Sequence, residues 1–190
     1  MKKRTRITFN SPLVLWFAIA CITVTLLGLL TGGSVTVHFF STYAASWTNP
    51  MTYLRLFTHV LGHSGFSHLM GNLAYILLLG PALEEKYGRR DLLLVILMTA
   101  IVTGLVHNLL FPRTILMGAS GISFAFILMT SFTEFREGEI PLSFLLVALI
   151  YLGQQVWDGI MVQDSISNLS HILGGLVGGG AGYILNLNNR

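Results

Sequence analysis

Two short motifs in apolar segments carry the residues that could do chemistry. Ser120 lies in the Gly-Ala-Ser-Gly motif of residues 118–121, and His171 follows about fifty residues downstream. A serine hydroxyl becomes a nucleophile when a neutral imidazole takes its proton. Because ionisable groups are costly to bury in hydrocarbon, their presence in such segments is by itself a functional hypothesis. The pair therefore predicts a nucleophilic hydrolysis carried out inside a membrane.

A second pair, His68 and Asn72, offers hydrogen-bond donors for the same reaction. The two residues are four apart, so they share one face of a helix. The amide of Asn72 and a ring N–H of His68 both suit an oxyanion hole. The alternative is that these side chains only form hydrogen bonds between helices.

The composition places these motifs in a membrane protein of one domain, residues 1–190. The chain is 53% hydrophobic and 10% charged, with a mean hydropathy of +0.71. Soluble domains are roughly a quarter charged. The one cysteine, Cys21, excludes an internal disulfide.

Six apolar segments predict an all-α fold, a bundle of six transmembrane helices, since about 20 apolar residues cross a bilayer. The segments are 12–31, 67–83, 92–111, 120–133, 141–157 and 168–187. The fourth is too short to cross, so its N-terminus must begin within the membrane, beside protein or water. Ser120 then lies at a helix N-terminus, where the helix dipole and free N–H groups favour an oxyanion.

The polar groups fall at similar depths along these helices. At about 1.5 Å per residue from the cytoplasmic ends, Ser120 lies about 21 Å up and His171 about 24 Å. His68 lies about 24 Å and Asn72 about 18 Å above the same boundary. In a hydrocarbon core about 30 Å thick, all four groups lie below the outer surface and can meet.

A stripe of glycines follows His171 along one face of the last helix. Its members are Gly174, Gly175, Gly178 and Gly182. Small residues at this spacing let helix backbones approach closely in lipid. The expected partner is the helix that starts at Ser120, with Gly121 at its top, which would bring His171 within reach of Ser120. A generic glycine-rich membrane helix is the alternative, and it leaves the histidine unexplained.

No Asp or Glu falls within the predicted helices at this depth. Asp158 and Asp164 are predicted in an outer loop, from which they could orient His171 only through a loop excursion. We therefore predict a Ser–His dyad without a buried acid, which also avoids burying an unpaired carboxylate.

The stretch from Gly32 to Phe66 is long, rich in aromatic residues and almost uncharged. Aromatic rings are common at the membrane–water interface. Two interpretations stay open: a structured surface loop and a structural flap embedded in the membrane.

In this order and spacing the motifs resemble those of rhomboid intramembrane serine proteases, over nearly the whole six-helix core. The matching residues are His63, His68 and Asn72, the GxSG motif at 118–121, the Ser-His-Ile-Leu-Gly segment at 170–174, and Glu84, Lys86 and Gly88 after Gly80. The resemblance implies a fold with a half-submerged first loop.

By this resemblance Ser120 would be the nucleophile and His171 the general base. His68, Asn72 and the Ser120 N–H would form the oxyanion hole. The reaction would hydrolyse a peptide bond in or beside a transmembrane segment of a membrane-protein substrate in the lipid bilayer. It would need no metal, ATP or other cofactor.

The sequence departs from the family pattern at three positions. The first loop supplies Arg55 of the usual Trp-Arg pair, but Leu54 stands in place of the tryptophan. Phe124 stands where many members place a tyrosine against the catalytic histidine, so the aromatic surface is kept and a hydroxyl is lost. Ser170 replaces the usual alanine before His171.

Two other classes of protein were weighed against this hypothesis. A metalloprotease or metal transporter would use His59, His63 and His68, but no Glu follows His59 as the HExxH pattern requires. We expect His59 and His63 to form hydrogen bonds that shape the first loop. We expect His107 to be a packing residue or to lie at the membrane interface.

The second class is a non-catalytic rhomboid-like protein that binds and holds membrane clients. Those relatives typically lack the serine or the histidine, whereas this chain has both.

Charge fixes the orientation of the predicted multi-pass protein, which we expect in the cell membrane with both termini cytoplasmic. The inside segments hold nine basic residues, namely Lys2, Lys3, Arg4, Arg6, Lys86, Arg89, Arg90, Arg136 and Arg190. The outside segments hold only Arg55 and Arg113, a clear positive-inside bias. The pI near 9.2 is therefore a topology signal, and nucleic-acid binding has little support.

This bias makes the topology testable. Reporter fusions at Asn10 and Arg190 should both report the cytoplasmic side. An external signal from either end would contradict the six-span arrangement and the depths derived from it.

Overall fold

The chain folds as a helical bundle, described in a computed structural model for residues 8–133, 139–161 and 165–188. Its helices are α1 (Pro12–Leu30), α2 (Ser34–Phe39), α3 (Pro50–Thr58), α4 (Phe66–Leu110), α5 (Ser120–Thr130), α6 (Leu142–Met161) and α7 (Ser165–Asn188). A 3-10 turn, His59–Leu61, joins α3 to α4. Within these residues there is no strand, only an isolated bridge between Thr42 and Leu116. The predicted all-α class is confirmed.

The predicted second and third spans run together as α4, a stretch of 45 residues. Gly88 breaks it with φ +82° and ψ 160°, a left-handed backbone conformation that favours glycine. Residues 66–87 and 89–110 therefore form two helices that meet at one residue. The sequence placed a longer connection here because the charged residues around Gly88 interrupt the apolar run without interrupting the helices.

One placement from the sequence was wrong. Asp158 lies in the last turn of α6, which continues to Met161, and not in an outer loop. The polar residues that end the apolar segment do not end the helix. Other residues used in the predictions lie outside the described residues: Asp164, Lys2, Lys3, Arg4, Arg6, Arg136 and Arg190.

Two helices, Pro12–Leu30 and Phe66–Leu110, are long and apolar enough to cross a membrane. Ser120–Thr130 and Leu142–Gln154 are shorter apolar helices. Large apolar side chains remain exposed along several of these elements, among them Leu30, Leu78 and Leu149. An outer surface of this kind suits contact with lipid better than contact with water.

Helix α5 is the buried centre of the bundle and packs most closely on α7. A Cβ on Gly174 would lie 2.8 Å from the Cα of Gly121, and a Cβ on Gly178 would overlap the backbone of Ala125. The two helices therefore touch backbone to backbone. Such close approach is what small residues allow where apolar burial cannot drive helices together.

Three neighbouring polar residues of α4 tie it to three other helices. The Glu84 carboxylate accepts hydrogen bonds from the backbone N–H groups of Leu13 (3.2 Å) and Val14 (3.0 Å) in the first turn of α1. Lys86 donates to backbone carbonyls just beyond the end of α5. The Asn186 amide of α7 donates to the Tyr87 hydroxyl at 2.7 Å.

Glu84 replaces a cap that α1 does not supply for itself, because Ser11 at the N-cap makes no side-chain capping bond. We expect Glu84→Gln to lower the free energy of unfolding by about 1–3 kcal/mol, since it removes a buried charge from N–H groups at a helix N-terminus. Glu85→Gln, next in the chain but exposed, is the matched control and should be near neutral. Melting temperatures of the three purified proteins decide the matter; equal losses in both variants would contradict the capping role.

Candidate active site

Ser120 is the first residue of α5, and the segment before it is held by backbone hydrogen bonds. Leu116 pairs with Thr42 of the first loop through two bonds of 2.9 Å. The Gly118 N–H donates to the carbonyl of His59 at 3.0 Å. Gly118 has φ +122°, a conformation that L side chains rarely adopt. The chain can therefore turn sharply and present Ser120 at a helix N-terminus, half-buried, with N–H groups of the first turn free of helical partners.

His68 and Asn72 of α4 both point at this turn. Nε2 and Cε1 of His68 each lie 2.8 Å from where a Cβ on Gly118 would be, and Nδ2 of Asn72 lies 3.6 Å from the same point. A side chain at position 118 would thus fill the space on which the two donors converge.

The side-chain amide of Asn72 is a buried donor without an acceptor among the described residues. Asn72 is buried, yet its Nδ2 makes no hydrogen bond to any residue that the structure describes. Buried amide donors are nearly always paired, so an unpaired one needs an explanation. A carbonyl oxygen of a bound molecule, seated beside Gly118, would satisfy it.

His171 reaches the same region from α7. Its ring stacks on the ring of Phe124, with centroids 4.4 Å apart and planes 4° from parallel. Phe124 is four residues after Ser120, on the same face of α5. A Cβ on Gly121 would lie 3.4 Å from the carbonyl oxygen of Ser170, so the backbone beside His171 lies against the start of α5.

The glycines of the predicted stripe have different neighbours. Gly174 and Gly178 face the backbone of α5, as described above. A Cβ on Gly175 would meet Leu152 of α6 at 2.7 Å, and one on Gly182 would meet Phe132 at 3.0 Å. The stripe therefore packs α7 against both α5 and α6.

His59 and His63 hold the first loop through backbone contacts. Nε2 of His59 lies 3.0 Å from the carbonyl of Ala100 in α4, and Nδ1 of His63 lies 3.2 Å from the carbonyl of Leu61. Burial lowers the pKa of His59 to about 4. Burial, with a smaller effect of neighbouring His68, lowers the pKa of His63 to about 4 as well. Both rings are therefore neutral at pH 7 and donate to carbonyls.

In the ranges that the structure describes, no three His, Cys, Asp or Glu side chains are grouped as a metal site requires. The other histidines have local contacts: Nε2 of His107 lies 3.3 Å from the carbonyl of Thr114, and the carbonyl of His38 accepts from Arg55.

Arg55 organises the first loop from its interior. It is buried, its Nε donates to the carbonyl of His38 at 2.8 Å, and its guanidinium lies 4.3 Å from the centre of the Tyr43 ring. A second buried contact joins the loop to α4, where the Asn108 amide donates to the Thr42 hydroxyl at 2.9 Å. The loop carries its large aromatic side chains outward, with Phe39, Trp47, Tyr53 and Phe57 all exposed.

The sequence missed two features around α5. Thr99 and Thr103 pack against Gly121, and the Thr99 hydroxyl is buried with no partner among the described residues. Their four-residue spacing, the same as that of His68 and Asn72, could have indicated that they share a helix face.

A groove between α4 and α6, lined by Tyr75, Val147 and Tyr151 among others, was also not predicted, because helices distant in sequence form it.

Comparison with protein families matches residues 50–188 to the Rhomboid domain. The chain belongs to the rhomboid family. The matched range includes the loop from α3 onward, the turn before Ser120 and the whole of α4 to α7. The expected family is confirmed, and with the apolar helices it makes this a membrane protein. Rhomboid proteins are typically intramembrane serine proteases that act on membrane-protein substrates in the bilayer.

Proposed function

We propose that this rhomboid protein is an intramembrane serine endopeptidase, with Ser120 as nucleophile and His171 as general base. The observation that carries the proposal is the stack of His171 on Phe124, one helical turn from Ser120. The close backbone approach of Gly174 to Gly121 supports it, because it brings α7 directly against the start of α5.

The proposed reaction begins when Ser120 attacks the scissile carbonyl carbon and His171 takes the hydroxyl proton. The carbonyl oxygen becomes an oxyanion, which accepts hydrogen bonds from Asn72, His68 and the Ser120 N–H. His171 then gives the proton to the leaving amine, and an acyl-enzyme forms at Ser120 Oγ. Water, activated by the same imidazole, releases the second product. The unpaired amide of Asn72 supports its place in this hole.

The second step needs water inside an otherwise apolar bundle. Thr99 and Thr103 line the inner side of the turn at Gly121, and His107 lies one helical turn further along α4. Thr99 Oγ1 and His107 Nδ1 are buried without partners among the described residues. Polar interior atoms of this kind are commonly satisfied by water, so these residues give water a polar site beside Ser120.

The substrate class follows from where the site lies. We propose a single domain of six spans with both termini in the cytoplasm of the cell, in which Ser120 would lie below the outer surface of the membrane. A transmembrane substrate can approach through the groove between α4 and α6, because Tyr151 of that groove contacts the edge of Phe124 with centroids 6.1 Å apart. The exposed aromatic residues of the first loop suit a loop embedded in the outer headgroup region.

The dyad is tested by removing its members singly and together. Ser120→Ala and His171→Ala should each abolish cleavage of a transmembrane substrate while the melting temperature is retained. The double variant should be little worse than either single one, since the two residues act as a unit. Independent multiplicative losses, or cleavage by Ser120→Ala, would exclude the dyad.

Labelling with a serine-reactive fluorophosphonate tests the nucleophile directly, with Ser131→Ala as the matched control. The fluorophosphonate should label wild type and Ser131→Ala, whose hydroxyl bonds to a backbone carbonyl further along α5, but not Ser120→Ala. Labelling and cleavage should both survive EDTA and phenanthroline. Loss on chelation followed by rescue with zinc would favour a metalloprotease, and no labelling at all would favour a client-binding protein.

The variant Asn72→Ala distinguishes a role of this residue in stabilising the oxyanion from a role in helix packing. If it donates to the oxyanion, Asn72→Ala should lower kcat by roughly 10²–10³, the usual loss for one such donor. If it only bridges helices, the variant should lose about 1 kcal/mol of stability and keep its rate per folded molecule.

The matched control for Asn72 is Asn108→Ala, which removes a buried amide that is paired with Thr42. Asn108→Ala should lower the melting temperature and leave kcat nearly unchanged. A rate for Asn72→Ala within threefold of wild type, with a lowered melting temperature, would remove Asn72 from the active site.

A further inference from the structure

Ser64 has a hydroxyl that contacts Nδ1 of His68. Ser64 Oγ lies 3.2 Å from Nδ1 of His68. Ser64 precedes the N-cap residue of α4, Gly65, and His68 is in the first turn of that helix. Ser64 is exposed, so its hydroxyl is not needed to fill the interior.

The Cε1–Nε2 side of the same ring faces the turn before Ser120. These two atoms each lie 2.8 Å from the position that a Cβ on Gly118 would occupy, and Asn72 Nδ2 lies 3.6 Å from that position. The imidazole therefore has one nitrogen on Ser64 and the other on the site proposed for the oxyanion. What His68 can do at that site depends on which nitrogen carries the hydrogen.

A neutral imidazole carries one N–H, and the contact made by one nitrogen fixes the state of the other. With the hydrogen on Nε2, His68 donates to an oxyanion and Nδ1 accepts from a hydroxyl. With the hydrogen on Nδ1, the Ser64 oxygen accepts, and a bare Nε2 faces the oxyanion with its lone pair. Only the first arrangement stabilises negative charge.

The other ring beside His68 does not compete for Nδ1. The His63 ring meets His68 edge-on, with centroids 5.0 Å apart. Its own Nδ1 is directed at the carbonyl of Leu61, so that nitrogen carries the hydrogen of the neutral ring. The other nitrogen of His63 carries no hydrogen to donate and makes no hydrogen bond to any described residue, so Ser64 is the hydroxyl in contact with Nδ1 of His68.

We propose that Ser64 is a positioning residue that donates its hydroxyl hydrogen to Nδ1 of His68 and so keeps the ring hydrogen on Nε2, aimed at the oxyanion. This inference rests on the proposed function, because it gives the oxyanion hole its correct tautomer. Ser64 touches neither substrate nor reacting atoms; it acts through His68.

The kinetic test uses Ser64→Ala with two comparison variants. Ser64→Ala should lower kcat about three- to tenfold, the net contribution of one neutral hydrogen bond, with KM and melting temperature unchanged. Ser64→Thr keeps the hydroxyl and should restore the rate. Ser67→Ala, an exposed serine one residue before His68, should match wild type. A loss shared by Ser64→Thr, or by Ser67→Ala, would overturn the proposal.

A double-variant comparison shows whether Ser64 acts through His68. In a His68→Ala background, Ser64→Ala should cause no further loss, because its target is gone. In an Asn72→Ala background it should keep its full effect, since His68 still donates there. An undiminished effect in the His68→Ala background would overturn the proposal.

Nitrogen-15 NMR of histidine-labelled protein reads the tautomer without any need for catalysis. Bare and protonated imidazole nitrogens give well-separated resonances, and comparison with His68→Gln assigns the signal of His68. Wild type should show a bare Nδ1, and Ser64→Ala should gain the Nδ1–H form. A protonated Nδ1 in wild type, or identical spectra for the two proteins, would refute the role of Ser64. If the protein cleaves no substrate but shows a bare Nδ1 that Ser64→Ala converts to Nδ1–H, the positioning role of Ser64 stands and the proposed protease activity is wrong.

Discussion

The site depends on one constraint, the contact of the α5 and α7 backbones with no side chains between them. At Gly174 and Gly178 any β-carbon would collide with the backbone of Gly121 or Ala125. Helices packed on side chains can slide or rotate as those side chains change rotamer, but helices in backbone contact have one register. That register sets the height of His171 relative to Ser120, and the stack on Phe124 then sets the plane of its ring.

Around this contact, buried polar side chains act as links between distant segments. Glu84 caps α1 from α4, His59 joins the first loop to α4, and Arg55 holds that loop together from within. In a membrane, leaving any of these polar groups without a hydrogen-bond partner would cost free energy. Each hydrogen bond therefore keeps the two segments that it joins at a fixed distance. Two of the buried polar atoms left unpaired among the described residues, Asn72 Nδ2 and Thr99 Oγ1, lie instead beside the start of α5.

The sequence predicted what depends on local spacing. The start of α5 at Ser120, the shared face of His68 and Asn72 and the small-residue face of α7 all follow from the 3.6-residue period. Features that depend on distant partners were not predictable. The contact of Arg55 with Tyr43, the continuity of the two helices at Gly88 and the α4–α6 groove each depend on packing that no single segment encodes. Asp158 was misplaced because hydropathy marks where lipid contact ends and not where a helix ends.

The stacked Phe124 has a consequence for the proposed Ser–His dyad. In the proposed reaction His171 would take a proton from Ser120 and its ring would become a cation, which a Ser–His–Asp triad would hold with a carboxylate. Here the face of a phenyl ring lies parallel to it, with centroids 4.4 Å apart. The negative face of an aromatic ring attracts a cation most strongly where water is excluded. If the proposed reaction takes place, its positive charge would meet the face of the Phe124 ring. That face would attract the cation through its quadrupole and would add no buried charge to the resting protein.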